Sequence, residues 1–142
     1  MRAVNVYTVQ RFTQLPRNAV FVFGSNLAGR HGKGGAKDAV DYFGAKYGQG
    51  IGLQGNSYAI PTKDSHLKVL PLSEIRQYVK EFLIFAKQYP NKVFVITPLG
   101  TGLANYTTAQ IAPMFEAVPD NCFIPRDWLT YYPDTAGVTS YF

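Results

Sequence analysis

The stretch VFVFGSNLAGRHGKGGAKDAV, residues 20–40, decides how the chain is read. Four consecutive apolar residues, Val20 to Phe23, mark a strand buried on both faces. The strand is expected to stop at Gly24. Ser25, Asn26 and a glycine-rich run carrying Arg30, His31 and Lys33 follow as a polar loop, and a helix is expected from about Gly34. A strand, a flexible loop and a helix start in that order can wrap backbone N–H groups around an anion and aim a helix N-terminus at it. The segment therefore predicts an α/β domain with a phosphate or nucleotide site.

Working outward, Ala3 to Val9 is expected as an edge strand and Leu15 to Asn18 as a turn. Ala39, Val40, Phe43 and Tyr47 recur at helical spacing and predict a helix whose body runs from Ala36 to Tyr47. Gly48 to Gly55 holds four glycines and reads as a loop, and SYAIP, residues 57–61, as a short strand ended by proline. Thr62 to Leu70 is a loop or short strand. Ser73 is placed to cap a helix with Glu74 in its first turn, and Ile75, Val79, Phe82, Leu83 and Ala86 form its apolar stripe as far as Tyr89. VFVIT, residues 93–97, is a second buried strand, and it leads into the loop PLGTGLANY. Thr107 and Gln110 have capping-box spacing for a helix to about Ala117, which Pro113 should kink or split. Asn121 to Ile124 is a last short strand, and residues 127–142 read as an irregular aromatic segment packed on the core.

Strands alternating with helices imply right-handed crossovers and a largely parallel sheet covered on both faces. Ligands of such sheets sit at the carboxyl ends of the strands. Both VFVF and VFVIT lead into glycine-rich loops followed by helices, so the two loops should face a common cleft.

The 142 residues amount to one domain, long enough to bury a core without staples. Lys and Arg number 14 against 9 acids, a net charge of +5, which fits phosphate-bearing ligands. No run of consecutive basic residues is present, so a nucleic-acid partner is not favoured. The single cysteine, Cys122, excludes a disulfide framework, and its apolar neighbours predict a buried thiol. With His31 and His66 as the only histidines, no metal set is expected, and no cofactor. The N-terminal residues carry no long apolar stretch, so a cytoplasmic protein without a membrane span is expected; the oligomeric state stays open.

Each loop offers chemistry. The glycines of the first loop permit close approach to backbone, Asn26 presents a donor and an acceptor suited to a ribose, and Arg30 and Lys33 can pair with phosphate. In the second, Gly100 and Gly102 free the backbone, Thr101 can donate a hydroxyl hydrogen bond, and Asn105 and Tyr106 can line a pocket. Lys63 can reach phosphate, while Asp64 beside it is a candidate general base. The loop matches neither the Walker pattern nor a strict GxGxxG. No Ser-His-Asp arrangement announces itself.

The order of these motifs, FGSNLAGRHGKGGAK, then LQGNSYAIPTKD, then TPLGTGLA, resembles the macro domain, and more closely a small macro-like family of bacteria and phages. The resemblance spans roughly Val20 to Ile124. It implies a single macro-like domain over residues 1–142 with its core at about 3–126, of α/β class. The fold would be three-layer α/β/α with a mixed, largely parallel central sheet.

It further implies a cleft for ADP-ribose or a related nucleotide. Asn26, Gly29, Gly32, Gly34 and Gly35 would surround the distal ribose, and Gly100, Thr101, Gly102 and Leu103 would hold phosphate. Gly24, Ser25, Leu27, Lys33, Thr62, Lys63, Ala104, Asn105 and Tyr106 would complete the binding wall. If the protein is an enzyme, the resemblance implies an ADP-ribosyl hydrolase or an ADP-ribose phosphate phosphatase. Asn26 would then orient the ribose, with Lys33 or Asp64 assisting a water. Alternatives are a non-enzymatic nucleic-acid or protein interaction module and a sponge for a signalling nucleotide. The chain departs from the family at two places: TVQRF, with Gln10 and Arg11, lacks the acid that reads adenine, and Ala104 stands where one hydrolase branch has Asp.

Overall fold

The computed structural model describes residues 2–139. In chain order its elements are β1 (Arg2–Tyr7), β2 (Ala19–Asn26), α1 (Gly34–Phe43), β3 (Gly52–Gln54), β4 (Ser57–Lys63), α2 (Leu72–Gln88), β5 (Val93–Ile96), α3 (Thr108–Ile111), β6 (Cys122–Pro125) and β7 (Thr135–Thr139). Two 3-10 helices, Ala112–Phe115 and Arg126–Tyr131, flank β6. The strands form one sheet in the order β3-β4-β2-β5-β6-β1-β7, parallel throughout except for the antiparallel β3–β4 pair. The chain is therefore α/β with a mixed, mostly parallel sheet, as expected.

Period-two alternation sorts the side chains between two covered faces. Val20, Val22, Tyr58, Ile60, Phe94 and Ile96 point to the face that packs on α2 through Ile75, Val79, Phe82 and Ala86. Phe21, Phe23, Ala59 and Val95 point the other way, against Ala36, Ala39 and Phe43 of α1. The result is three layers, helix on sheet on helix. β2 lies between β4 and β5, so the two strands that lead into glycine-rich loops are neighbours.

Several boundaries differ from the sequence reading. β2 does not stop at Gly24 but continues through Ser25 and Asn26, because β4 pairs with it as far as Lys63 across a register shift beside Pro61. SYAIP correspondingly runs two residues past its proline. A proline next to such an irregularity removes no regular ladder bond. α1 ends at Phe43, where Gly44 takes a left-handed φ of 75° and donates its N–H to Ala39 O. Tyr47 thus falls outside the helix although its spacing continues the stripe. The glycine-rich 48–55 stretch contains β3. α2 starts behind Pro71, whose fixed φ begins the first turn, so Ser73 lies inside the helix and caps nothing.

The largest correction concerns the sheet edge. β1 is not an edge strand, because residues 135–139 pair with it in parallel, Ala3 opposite Ala136 and Asn5 opposite Val138. The segment read as irregular from residue 127 onward holds this strand and two core residues, Trp128 and Tyr132. The core therefore extends beyond residue 126. Gly137 admits the Leu129 side chain, whose Cδ1 would lie 2.5 Å from a Cβ there. Residue 1 and residues 140–142, which the sequence reading included in the domain, lie outside the described residues.

Other expectations hold. Thr107 and Gln110 form the capping box, and the helix they start passes into 3-10 geometry at Pro113. Cys122 is buried, and burial pushes its thiol up to about 12. No helix among the described residues is long and apolar enough to cross a membrane.

Phe82 sits at the centre of the larger core, its ring 5.1 Å from Tyr58, 5.5 Å from Phe94 and 6.3 Å from Phe115. Phe82→Ala should cost about 3–5 kcal/mol, read as a lower midpoint in urea denaturation. Burial also raises the hydroxyls of Tyr7 and Tyr132 and pushes Tyr58 up to about 12. Above a pH of about 10 the unfolded chain releases these protons while the native state keeps them. The unfolded state then binds fewer protons, so stability falls as pH rises through that range. An absorbance titration should show these tyrosines ionising only as the protein unfolds.

Candidate functional site

The carboxyl ends of β2, β4 and β5 open on one cleft of about 610 Å³, a volume in the range of small-molecule sites. One wall is the loop that follows β2. Asn26 builds it: its Nδ2 donates to Arg30 O at 2.9 Å, and its Oδ1 accepts from Arg30 N at 3.0 Å. The carboxamide thus stands in for a backbone partner and closes a tight turn around Gly29, which has a φ of +70°. A Cβ on Gly29 would lie 2.3 Å from Gly48 C, so glycine is required there.

This loop locks onto the segment before β3. Gly48 N donates to Gly29 O at 2.8 Å, Ser25 Oγ donates to Gly50 O, and Leu27 N donates to Lys63 O at 3.0 Å. His31 is 2% exposed, and its Nε2–H donates to Gln49 O at 2.9 Å. A carbonyl only accepts, so Nε2 carries a hydrogen, and Nδ1 is buried without a partner. The ring stands edge-on to Phe23 and Tyr47 at centroid distances of 5.2 and 6.0 Å.

The loop ends in the N-terminus of α1. Lys33 is its N-cap residue and makes no side-chain cap, and no acid occupies the first turn. The opening amides, at Gly34, Gly35 and Ala36, line the cleft. A helix end without a capping side chain presents N–H groups and positive partial charge to whatever enters.

The opposite wall is the loop after β5. Gly100 takes a φ of +79°, and a Cβ there would meet Ile111 Cδ1 at 2.8 Å. Gly24 brings the two walls together, for its Cβ position lies 3.2 Å from Leu99 Cβ. Gly102 differs from both: it has no positive φ and open space at its Cβ position.

Most of the residues singled out from sequence line this cleft. Gly24, Ser25, Asn26, Gly32, Lys33, Gly34 and Gly35 do so from the first wall, Thr62 and Lys63 from β4, and Gly100, Gly102, Leu103 and Ala104 from the second. Six do not. Leu27 packs toward the α2 core, and Gly29 faces Gly48. Thr101 Oγ1 donates to Pro98 O at 2.6 Å, while Asn105 holds a left-handed turn at φ 62°. Tyr106 donates its hydroxyl to Leu70 O at 2.6 Å. Asp64 turns into its own loop, where Oδ1 accepts from His66 N at 2.8 Å and Lys68 N at 2.9 Å. The backbone hydrogen bond from Lys68 is the largest of the effects that hold its carboxyl below the usual range. Sequence reasoning did not place Tyr47, Leu67, Thr97, Pro98 or Leu99 in the cleft. The exposure of Tyr47 could have been anticipated only by reading Gly44 as a helix stop.

The electrostatics are one-sided. Among the described residues Arg30, Lys33 and Lys63 line the cleft, and no Asp, Glu, His or Cys does. The two ion pairs among the described residues, Arg11–Asp38 and Lys37–Asp41, lie elsewhere and involve none of these cations. No cluster of three or more His, Cys, Asp or Glu placed to hold a metal occurs among the described residues. Comparison with protein-family models, with curated proteins and with solved structures finds no match to this chain.

The interlock of the two loops makes a specific demand at Gly50, whose Cβ position lies 2.2 Å from Asn26 O. Gly50→Ala should push the strand end and the loop apart. Overpacking of this kind costs about 1–3 kcal/mol. Thermal unfolding of the variant should show the loss, together with faster amide exchange at Gly29 and Arg30.

Proposed function

We propose that the chain is a macro-like domain whose cleft binds ADP-ribose or a related ribose-phosphate nucleotide. The observation that carries the reading is the charge pattern of the cleft: three cationic side chains, a helix N-terminus without a side-chain cap, and no carboxylate among the described residues. Such a site attracts a multiply charged anion and has nothing to repel it. The glycine-lined wall at Gly100 and Gly102 leaves backbone accessible on the side facing α1.

Binding without turnover is the favoured form. Asp64, the one acid considered for activating a water, does not line the cleft, and its Oδ1 already accepts two backbone amides. Asn26, considered for orienting the ribose, has both ends of its amide committed to Arg30. Among the described residues the remaining titratable side chains of the cleft are Arg30, Lys33, Lys63 and Tyr47, none of which is a base of the carboxylate or imidazole kind. A protein of this description would capture a nucleotide and release it intact.

Calorimetric titration with ADP-ribose tests the reading. Saturable binding that weakens with added salt is expected, and no heat at millimolar ligand overturns it. Recovery of intact ADP-ribose after prolonged incubation is expected for a binder, whereas release of a hydrolysed product would establish turnover. Gly102→Glu should fold, because its Cβ position is open, and should abolish binding by placing a like charge in the cleft. Lys33→Ala and Lys63→Ala should each weaken binding by about three- to tenfold, the discounted effect of one exposed charge-assisted contact.

A further inference from the structure

Tyr47 stands out among the residues of the cleft. It is 65% exposed, a high value for a large aromatic ring that lines a concave site. Among the described residues no other aromatic side chain lines the cleft. The backbone beneath it is pinned on both sides: Lys46 N donates to Gln54 Oε1 at 2.8 Å, and Gly48 N donates to Gly29 O at 2.8 Å. Its ring meets His31 at an interplanar angle of 68°, and its hydroxyl lies 3.9 Å from the Cβ position of Gly32. A rigidly mounted ring is therefore left open to solvent beside Arg30 and Lys33.

The neutral polar side chains of the cleft are already committed. Ser25 donates to Gly50 O, Thr62 to Ser25 O, Thr97 to Val22 O, and Asn26 pairs with Arg30 at both ends. Among the described residues no carboxylate lines the cleft either, and the cations Arg30, Lys33 and Lys63 are left to pair with phosphate rather than with the edge of a base. A π face that is offered without an edge reader favours stacking, which is tolerant of base identity because every base has such a face.

We propose that Tyr47 is the stacking platform for the base of the bound nucleotide, and that the cleft takes nucleoside diphosphates without discriminating between purines. The base lies over the Gly32 end of the first loop. The phosphates extend past the N-terminus of α1 toward the Gly100–Ala104 wall, within reach of Lys33 and Lys63. The inference rests on the anion site proposed above and adds its selectivity: charge sets affinity, and the base contributes area rather than identity.

The test titrates the full chain, as wild type, Tyr47→Ala and Tyr47→Phe, with ADP, GDP and inorganic pyrophosphate. ADP and GDP should bind the wild type within about threefold of each other, and both more tightly than pyrophosphate. Tyr47→Ala should weaken ADP and GDP alike by about five- to a hundredfold, the range for loss of one stacked base, with the loss confined to ligands that carry a base. Tyr47→Phe should restore most of that affinity, which separates stacking from a hydrogen bond to the hydroxyl. Three results overturn the inference while leaving the anion site standing: pyrophosphate binding as tightly as ADP, an unchanged ADP affinity in Tyr47→Ala, or a preference between ADP and GDP of about thirtyfold or more. Failure of all three ligands to bind the wild type overturns the anion site itself, and the stacking platform with it.

Discussion

The two hydrogen bonds between the Asn26 carboxamide and the backbone of Arg30 fix the geometry on which the cleft depends. They follow the end of β2, close the turn at Gly29 and set the direction in which the chain enters α1. Without them the first wall would keep its ties to the segment before β3 but lose the side-chain closure of the turn between Asn26 and Arg30. With them, Arg30, Lys33 and the opening amides of α1 are held on one side of the cleft. A buried amide that satisfies a backbone N–H and a backbone C=O at once is costly to replace, because most substitutions leave both groups unpaired. The residue whose type suggested ligand binding therefore serves first as architecture.

The same division runs through both walls. Glycines where a Cβ would collide, such as Gly29, Gly50 and Gly100, let backbone approach backbone or core. Gly102, with open space around it, is free of that duty and faces the cleft. Polar side chains divide in the same way. Ser25 and Thr97 tie loops to the sheet, Thr62 ties β4 to β2 and Thr101 closes its own loop, while Arg30, Lys33 and Lys63 carry charge that no acid among the described cleft residues neutralises. The sheet supplies rigidity, and the loops supply a field of one sign.

Much of this was legible in the sequence, for identifiable reasons. VFVF, VFVIT and the stripe of α2 carry their signal in consecutive residues, and the capping box at Thr107 and Gln110 is local chemistry. β7 was not legible, since TAGVT has weak strand propensity and exists because β1 offers it an edge more than a hundred residues away. Helical spacing carried Tyr47 past its true stop, where the left-handed conformation of Gly44 outweighed the period. The clustered glycines and cations fall on the walls of one cleft, whereas the bonding of Asn26 and Asp64 depends on partners that spacing does not reveal. A short polar side chain near a turn bonds to local backbone as readily as to a ligand.

The position of β1 has a consequence for how the protein is made. Residues 2–7 lie between β6 and β7, opposite Phe123 on one side and Thr135 on the other. Of the seven strands of this sheet, the one synthesised first is thus among the last to find its neighbours. The β2-β4-β5 unit with α1 and α2 can assemble from sequence already synthesised, while β1 waits with both edges unpaired. Closing so long a loop is slow, and an unpaired strand is an invitation to other chains. Arg2 at the start of β1 and Asn5 within it are polar residues of the kind that oppose association of a waiting strand.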